Sequence, residues 1–388
     1  MIAERRNNRE GHAIKFGIAV SLSGRYALLG RQVRAGLECY AEDVNAAGGI
    51  VVGSGEGSRL VELIVRDDRS DPHQCARMVG ELIETEQIDL LIGPYGSGLT
   101  LAAAAVAETA GMVMWNHSGS GDRIFDAGFS LMVGIISPAS SYLCGVLDLV
   151  RAEDPGARKV DLISAETGFA RDVASGVALW FERAGHSVRD HHRYPPAQAD
   201  FRNLLRPMLD DPPDCLLGVG RVENDLQLAR DLCALRLPLK ACALVVAGID
   251  HFRQELGAAA DGFLAPSQWE SGASYVPDCG PSARDFVMRF QRRHAKAPDY
   301  PAAQGYVGAL IAQQCVEGAG TLEQSALRAA ANRLRCTTFY GPFAIDPKSG
   351  RQTAHGMLVT QWQGGRRRIV WPREAAEAPV IYPGLVWH

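Results

Sequence analysis

The stretch KFGIAVSLSGRYALLGRQVRAGLECYAEDVNAAGG, residues 15–49, decides the fold. Its opening KFGIAVSL is apolar with strand composition. After a short polar turn, apolar residues recur at Val33, Leu37, Tyr40, Ala41 and Val44, the spacing that lines one face of an α-helix, until Gly48 and Gly49 end it. Working outward, the same unit repeats. RLVELIVRDD, IDLLIGPY and MVMWNHS read as strands, with PHQCARMVGELIETE and LTLAAAAVAETAG as the helices between them. Strands that alternate with helices imply a parallel sheet covered on both faces.

The alternation restarts after the Pro/Ser stretch IISPASS. Helix SYLCGVLDLVRAE, strand KVDLISAE, helix ARDVASGVALWFERAG, strand SVRDHHRY and strand DCLLGVG build a second α/β lobe, which CALVVAG and GFLAPSQWE continue. Three helices then arrive with no strand between them, at SARDFVMRFQRRHA, AAQGYVGALIAQQCVEGAG and TLEQSALRAAANRL, before the strand-rich tail YGPFAID, HGMLVTQW and RRRIVWP. Helices that follow two finished sheets must pack on one of them. The simplest arrangement returns the chain to the first lobe and then crosses back, giving an α/β fold of two doubly wound parallel-sheet lobes joined by a multi-strand hinge. The expected lobes are 1–136 with 268–336, and 137–267 with 337–388.

Composition supports two domains: 388 residues, 47% hydrophobic and 22% charged, exceed the usual size of one core. A formal net charge of -4 supplies no basic surface for a phosphate backbone, so nucleic acid is not an expected partner. No apolar run approaches the ~20 residues that cross a bilayer, and the opening MIAERRNNREGHA lacks the apolar core of a signal peptide. The expectation is a periplasmic protein if a signal peptide is missing from this chain, or a cytoplasmic one otherwise. The nine cysteines form no CxxC or Cys/His cluster with metal spacing, and most sit in apolar stretches. They read as small buried hydrophobes, and unpaired thiols lean toward a reducing compartment.

Catalytic signatures are missing. GVGRVE begins like a dinucleotide fingerprint, but Glu223 stands where the third glycine belongs. There is no GxxxxGK[ST], GxSxG or HExxH. His191 and His192 are adjacent, so on a strand they point to opposite faces and suit a shared metal badly. Asp67, Asp68 and Asp71 lie between a strand and a Pro-initiated helix, where turn formation and capping explain them. The run Arg366–Arg368 reads as a solvated hairpin face. Neither enzyme activity, cofactor nor metal is expected.

The order and spacing of SLSGRYALLGRQVRAGLECYAEDVNAAGGI, VRDDRSDPHQCARMVGELI, IGPYGSG, PAAQGYVGALIAQQCVEGAG, YGPFAID and WPREAAEAPVIYP resemble the type I periplasmic binding proteins. The branch is the leucine/isoleucine/valine-binding one that serves ABC transporters and includes cytoplasmic amide sensors. The resemblance runs from about Ile14 to the C-terminus. It implies a clamshell, or Venus flytrap, that captures solute in the cleft between its lobes, at loops after the carboxyl ends of strands, where open α/β sheets bind ligands. Ser23 follows the first strand. Tyr95 and Ser97 lie in GPYGSG, where the family's ligand-binding serine falls on Ser97. Trp115, His117, Ser118, Gly119 and Ser120 form the third loop, which in the family commonly reads Ser-Pro-x-Ala-Thr. Gly119 and Ser120 occupy the ligand-touching positions, and His117 replaces the proline.

Second-lobe candidates are Phe169, where relatives carry a tyrosine, Arg221, which suits an anion, and Asp250, near the family's acid for the ligand ammonium. Trp269 sits at an expected crossing, to stack on ligand or pin the hinge. The departures at His117, Phe169 and Arg221 point away from a plain leucine site, toward an amino acid, an aromatic carboxylate or an amide. The implied function is the substrate-binding component of an amino acid ABC transporter, with a permease as partner and a monomer or weak dimer as the working form. The alternative is a cytoplasmic amide or amino-acid sensor that regulates a partner protein.

Overall fold

Strand β1 (Ile14–Val20) is almost wholly buried because it pairs in parallel on both sides, with β2 (Val61–Asp67) and β3 (Leu90–Ile92). The computed structural model describes residues 12–53 and 57–385, so the polar opening through residue 11 lies outside the described residues. Helix α1 (Ala27–Ala46) follows β1, α2 (Pro72–Glu84) follows β2 and α3 (Ser97–Thr109) follows β3. β4 (Met114–Asn116) and β5 (Met132–Gly134) complete a five-stranded sheet in the order β2-β1-β3-β4-β5. Cys75, Met78, Val79 and Leu82 of α2 and Leu99, Ala103 and Ala107 of α3 form one core layer with Met114 and Met132.

The acidic cluster is turn chemistry, as its place in the sequence suggested. Asp67 accepts from the backbone N–H of Leu22 at 2.9 Å and of Arg69 at 2.9 Å. Asp68 accepts from the Ser21 hydroxyl at 2.6 Å and the Ser70 N–H at 2.8 Å. Asp71 caps α2 by accepting from the Gln74 N–H at 2.8 Å, with Pro72 in the first turn.

A second sheet repeats the plan. After α4 (Cys144–Glu153) come β6 (Val160–Ala165), α5 (Gly168–Arg183), β7 (Asp190–Tyr194), β8 (Cys215–Val219), α6 (Val222–Leu235), β9 (Ala241–Leu244), α7 (Asp250–Leu256) and β10 (Leu264–Ser267). Helices α8 (Ala283–His294), α9 (Tyr300–Ala319) and α10 (Gln324–Arg333) and the small ribbon of β11 (Cys336–Thr338) and β12 (Gly341–Phe343) rejoin the first unit. Finally β13 (Leu358–Gln363) and β14 (Arg366–Trp371) add antiparallel to β10, giving the order β14-β13-β10-β9-β8-β6-β7.

The two units are Met1–Ile136 with Tyr275–His355, and Ser137–Ser274 with Gly356–His388. The second and third crossings thus fall later in the chain than the 267/268 and 336/337 expected from sequence. Residues 268–274 stay with the second unit because the Ser267 hydroxyl donates to the Trp269 carbonyl at 2.9 Å and Glu270 pairs with Arg367 at 2.9 Å. The ribbon stays with the first unit because Phe339 stacks on Phe286, centroids 4.6 Å apart, and the Gln304 amide donates to the Tyr340 hydroxyl at 3.1 Å. The arginine run also departs from expectation. Arg367, only 13% exposed, bridges Glu270 and Asp250 rather than facing solvent.

Helix α9 arrives from far along the chain and lies on α1 backbone to backbone. A Cβ on Gly36 would stand 1.9 Å from the Ala302 carbonyl oxygen, and one on Gly305 would stand 2.5 Å from that of Val33. Neither position accepts a side chain without moving a helix. We expect Gly36→Ala to destabilise the protein by at least ~2 kcal/mol in urea unfolding, the scale of an overpacked core. Gly80→Ala on α2, where nothing lies within 4 Å, should instead add about 0.4–1 kcal/mol.

Candidate functional site

In each sheet the strand order reverses once, between β1 and β3 and between β6 and β8. The helices that leave there lie on opposite faces, so the loops part and a crevice opens at the strands' carboxyl ends. In the first unit the parting loops are residues 21–26 and 93–98. In the second they are residues 166–168 and 220–221.

On the first loop Ser23 is exposed, and its hydroxyl donates to Asp67 at 2.7 Å. Gly24 sits at φ 76° with room for no side chain, since a Cβ would lie 2.6 Å from the Arg69 carbonyl oxygen. On the second loop the Tyr95 hydroxyl bonds that of Tyr300 at 2.9 Å, and its ring lies 6.1 Å from that of Tyr26. Ser97 opens α3, and its Oγ accepts from the Gly121 N–H at 3.0 Å. That bond leaves the hydroxyl proton for an acceptor at the helix N-terminus.

The third loop is closed by Asn116, whose side chain accepts from the Gly119 N–H and donates to the Gly119 carbonyl, both at 2.7 Å. Gly119 is obligatory there, because a Cβ would meet the Thr100 hydroxyl at 2.4 Å. Trp115 and His117, expected as ligand contacts, are fully buried in the first unit's interior. Trp115 lies within the sheet, in register with Ile92 and Val133. His117 packs under Gly308 of α9, and burial pushes its imidazole down to about 4, so it is neutral at pH 7. The Ser118 hydroxyl is occupied twice, at 2.5 Å by His117 Nδ1 and at 3.1 Å by Gln304 Oε1. Ser120 differs. It is buried, and its hydroxyl has no partner among the described residues.

In the second unit Phe169 is half-buried on α5 and meets Tyr142 edge to face at 5.3 Å. Thr167 caps the same helix by accepting from the Ala170 N–H at 3.1 Å. Asp250 pairs with Arg367 at 3.2 Å, and Trp269 is fully buried. Arg221 stands where β8 gives way to α6, half-buried, with no carboxylate partner among the described residues and its Nε buried without a hydrogen bond.

Two residues that sequence reasoning missed accompany it. A Cβ on Gly220 would lie 2.4 Å from Asp225 Oδ1 and 2.6 Å from the Tyr194 hydroxyl, so both polar groups converge over that glycine. Both atoms are buried and lack a hydrogen-bond partner. Such groups are costly unless something else satisfies them. Tyr194 closes its strand, and Asp225 reads in sequence as a first-turn helix acid. Neither gives a sequence signal of the burial that makes it notable.

A separate hollow lies elsewhere. About 510 Å³ opens at the amino-terminal end of the second sheet, among Leu147, Arg151, Val160, Trp180 and His186, and none of the expected site residues lines it.

A family model described as periplasmic binding protein matches residues 13–366. The chain belongs to that family. It is a type I periplasmic binding protein of the leucine/isoleucine/valine-binding branch. A Leu/Ile/Val-binding protein homolog 7 of Brucella suis biovar 1 is 23% identical over 95% of this chain and 94% of its own length. Among solved structures, a solute-binding protein of an R. palustris ABC transporter in complex with benzoate superposes with a TM-score of 0.79 at 20% identity, over 95% of this chain and 97% of that one. A branched-chain amino acid transporter substrate-binding protein from Streptococcus pneumoniae in complex with isoleucine gives 0.78 at 19%, over 96% and 100%. These likenesses fix the fold, and the relatives lend no support to a cytoplasmic sensor. This periplasmic binding protein therefore shares its architecture with binders of two different ligand classes.

Burial pushes the Asp225 carboxyl up from 3.8 to about 7. Between those values the folded chain keeps a proton that the unfolded chain releases. Its contribution to stability is thus fully present below about pH 4, falls as pH rises, and is lost above about pH 7. Asp225→Asn should remove this slope: measured by urea unfolding from pH 4 to 8, the variant should gain stability relative to the parent as pH rises.

Proposed function

We propose that this chain is the solute-binding component of an ABC transporter, working in the periplasm without catalysis and delivering a small organic anion to a permease. Capture by clamshell closure, as the family resemblance implies, belongs to the same proposal. The observation that carries the ligand class is Arg221, a half-buried guanidinium at the second sheet's reversal point with no carboxylate of its own. A planar fork of donors in that position suits a carboxylate held through two charge-assisted hydrogen bonds.

An aromatic carboxylate fits better than a zwitterionic amino acid. The residue expected to receive an ammonium, Asp250, already pairs with Arg367. Asp225 is a poor substitute, because burial keeps its carboxyl largely protonated up to about pH 7. Apolar walls are available in Phe169 beside Tyr142 and in Tyr95 beside Tyr26. The benzoate complex of the R. palustris relative supports the same reading.

A thermal-shift and calorimetry panel of benzoate, 4-hydroxybenzoate, leucine and isoleucine tests the proposal. An aromatic acid should raise the unfolding midpoint with the logarithm of its concentration. Arg221→Gln should weaken that ligand roughly 10- to 100-fold, the worth of a charge-assisted hydrogen bond. Ser120→Ala should weaken it with little effect on stability, whereas Ser97→Ala, which also takes the acceptor from the Gly121 N–H, should weaken it and lower stability, and Ser118→Ala should lower stability. Stabilisation by leucine or isoleucine alone, with Arg221→Gln indifferent, would overturn the assignment.

A further inference from the structure

One pair of side chains plays no part in the proposed binding of solute. Cys279 follows the second crossing and Cys336 opens β11, both in the first unit. The Thr337 carbonyl accepts from the backbone N–H groups of Asp278, at 2.9 Å, and Cys279, at 3.3 Å, while the Thr337 N–H donates to the Asp278 carboxylate at 2.7 Å. These bonds fix residues 278–279 against 336–337 and hold the two sulfurs within 4.8 Å of each other.

Cys39, Cys75, Cys215, Cys242 and Cys315 are buried, as the sequence suggested for most cysteines, and of the half-buried Cys144, Cys233, Cys279 and Cys336 only the last two have their sulfurs this close together. Hydrogen bonding from Cys336 holds the Cys279 thiol below its ordinary value. The same contact, with burial, holds Cys336 above its own. Cys279 is therefore the better nucleophile of the pair.

We propose that Cys279 and Cys336 form a disulfide that staples the start of the returning segment to β11. The Cys279 thiolate attacks one sulfur of a disulfide oxidant, such as oxidised glutathione or a disulfide-bearing thiol oxidoreductase, and the oxidant's other sulfur leaves as a thiolate. Cys336 then gives up its proton and attacks the Cys279 sulfur, displacing the oxidant's remaining half. Two protein thiols lose two electrons and two protons, and one oxidant disulfide becomes two thiols. The bond closes a loop that carries α8, α9 and α10, and so restrains in the unfolded chain the segment that must find α1.

Asp278 also brings a carboxylate oxygen within 4.8 Å of both sulfurs. Those three donors leave a tetrahedral zinc one protein ligand short, so the geometry favours the disulfide over a closed structural zinc site. The test treats the purified full chain with oxidised glutathione, unfolds it in guanidinium, counts free thiols and maps peptides by mass. Two of the nine thiols should disappear, with a loss of two hydrogens in mass, a linked Cys279–Cys336 peptide, and full recovery on reduction. The oxidised protein should melt several degrees above the reduced one, a difference absent from Cys279→Ser and from Cys336→Ser. Retention of all thiols, linkage of other cysteines, or equimolar zinc that stays bound through gel filtration and shields both sulfurs would overturn the proposal.

Discussion

The first unit depends on the contact of α9 with α1. Both helices carry glycine where they cross, and each glycine faces a carbonyl oxygen of the other helix. A contact without intervening side chains sets the depth at which α9 lies over the sheet. From that depth Gly308 leaves room for the His117 ring, and Gln304 reaches both the Ser118 and Tyr340 hydroxyls. The loop after β4 is therefore shaped by a helix that joins the unit only after the chain has built a second sheet elsewhere. A displacement of α9 by a fraction of an ångström would reach residues 117–118 directly, because close-packed interiors transmit strain.

That dependence explains which parts of the candidate site could be read from sequence. Strands and helices were legible because their apolar periods are local: Val33, Leu37, Tyr40 and Val44 announce the buried face of α1 without reference to anything distant. The loops after the strands' carboxyl ends were legible for the same reason, since each follows a locally patterned strand, whereas which of them flank the reversal points depends on the strand order. The role of each side chain on those loops was not. His117 and Ser118 sit one and two residues past β4 and look like edge residues. What draws them inward is Gly308 and Gln304, nearly two hundred positions later in the chain. Asp250 looked available until Arg367, in a run that reads as solvated, turned out to pair with it.

The two lobe boundaries that moved have the same cause. Trp269 and Glu270 follow a strand end, and nothing local says whether they continue with the sheet or leave it. The Ser267 hydroxyl and Arg367 decide the matter through bonds within the second unit. Phe339 and Tyr340 resemble the start of a strand-rich tail, but the Phe339 ring completes an aromatic cluster with Phe286 and Tyr306, and the Tyr340 ring stacks on His355, all in the first unit. Composition alone does not reveal such partners.

The second unit shows a different balance. Tyr194 and Asp225 are aromatic and acidic residues of ordinary appearance, yet the Tyr194 hydroxyl and Asp225 Oδ1 converge over Gly220 in a buried space where neither atom has a hydrogen-bond partner, while Asp225 Oδ2 accepts from the Val246 N–H at 3.0 Å. Burial raises both groups above their ordinary ionisation range, so the uncharged forms are favoured there. A protonated acid and a phenol are donors, and the Arg221 guanidinium beside them has no acceptor capacity at all. Donors gathered at the carboxyl edge of a parallel sheet, with their own acceptors withheld, lower the stability of the unliganded chain and raise the reward for an acceptor-rich solute. On this argument the local cost would be the source of the selectivity for an anion proposed above.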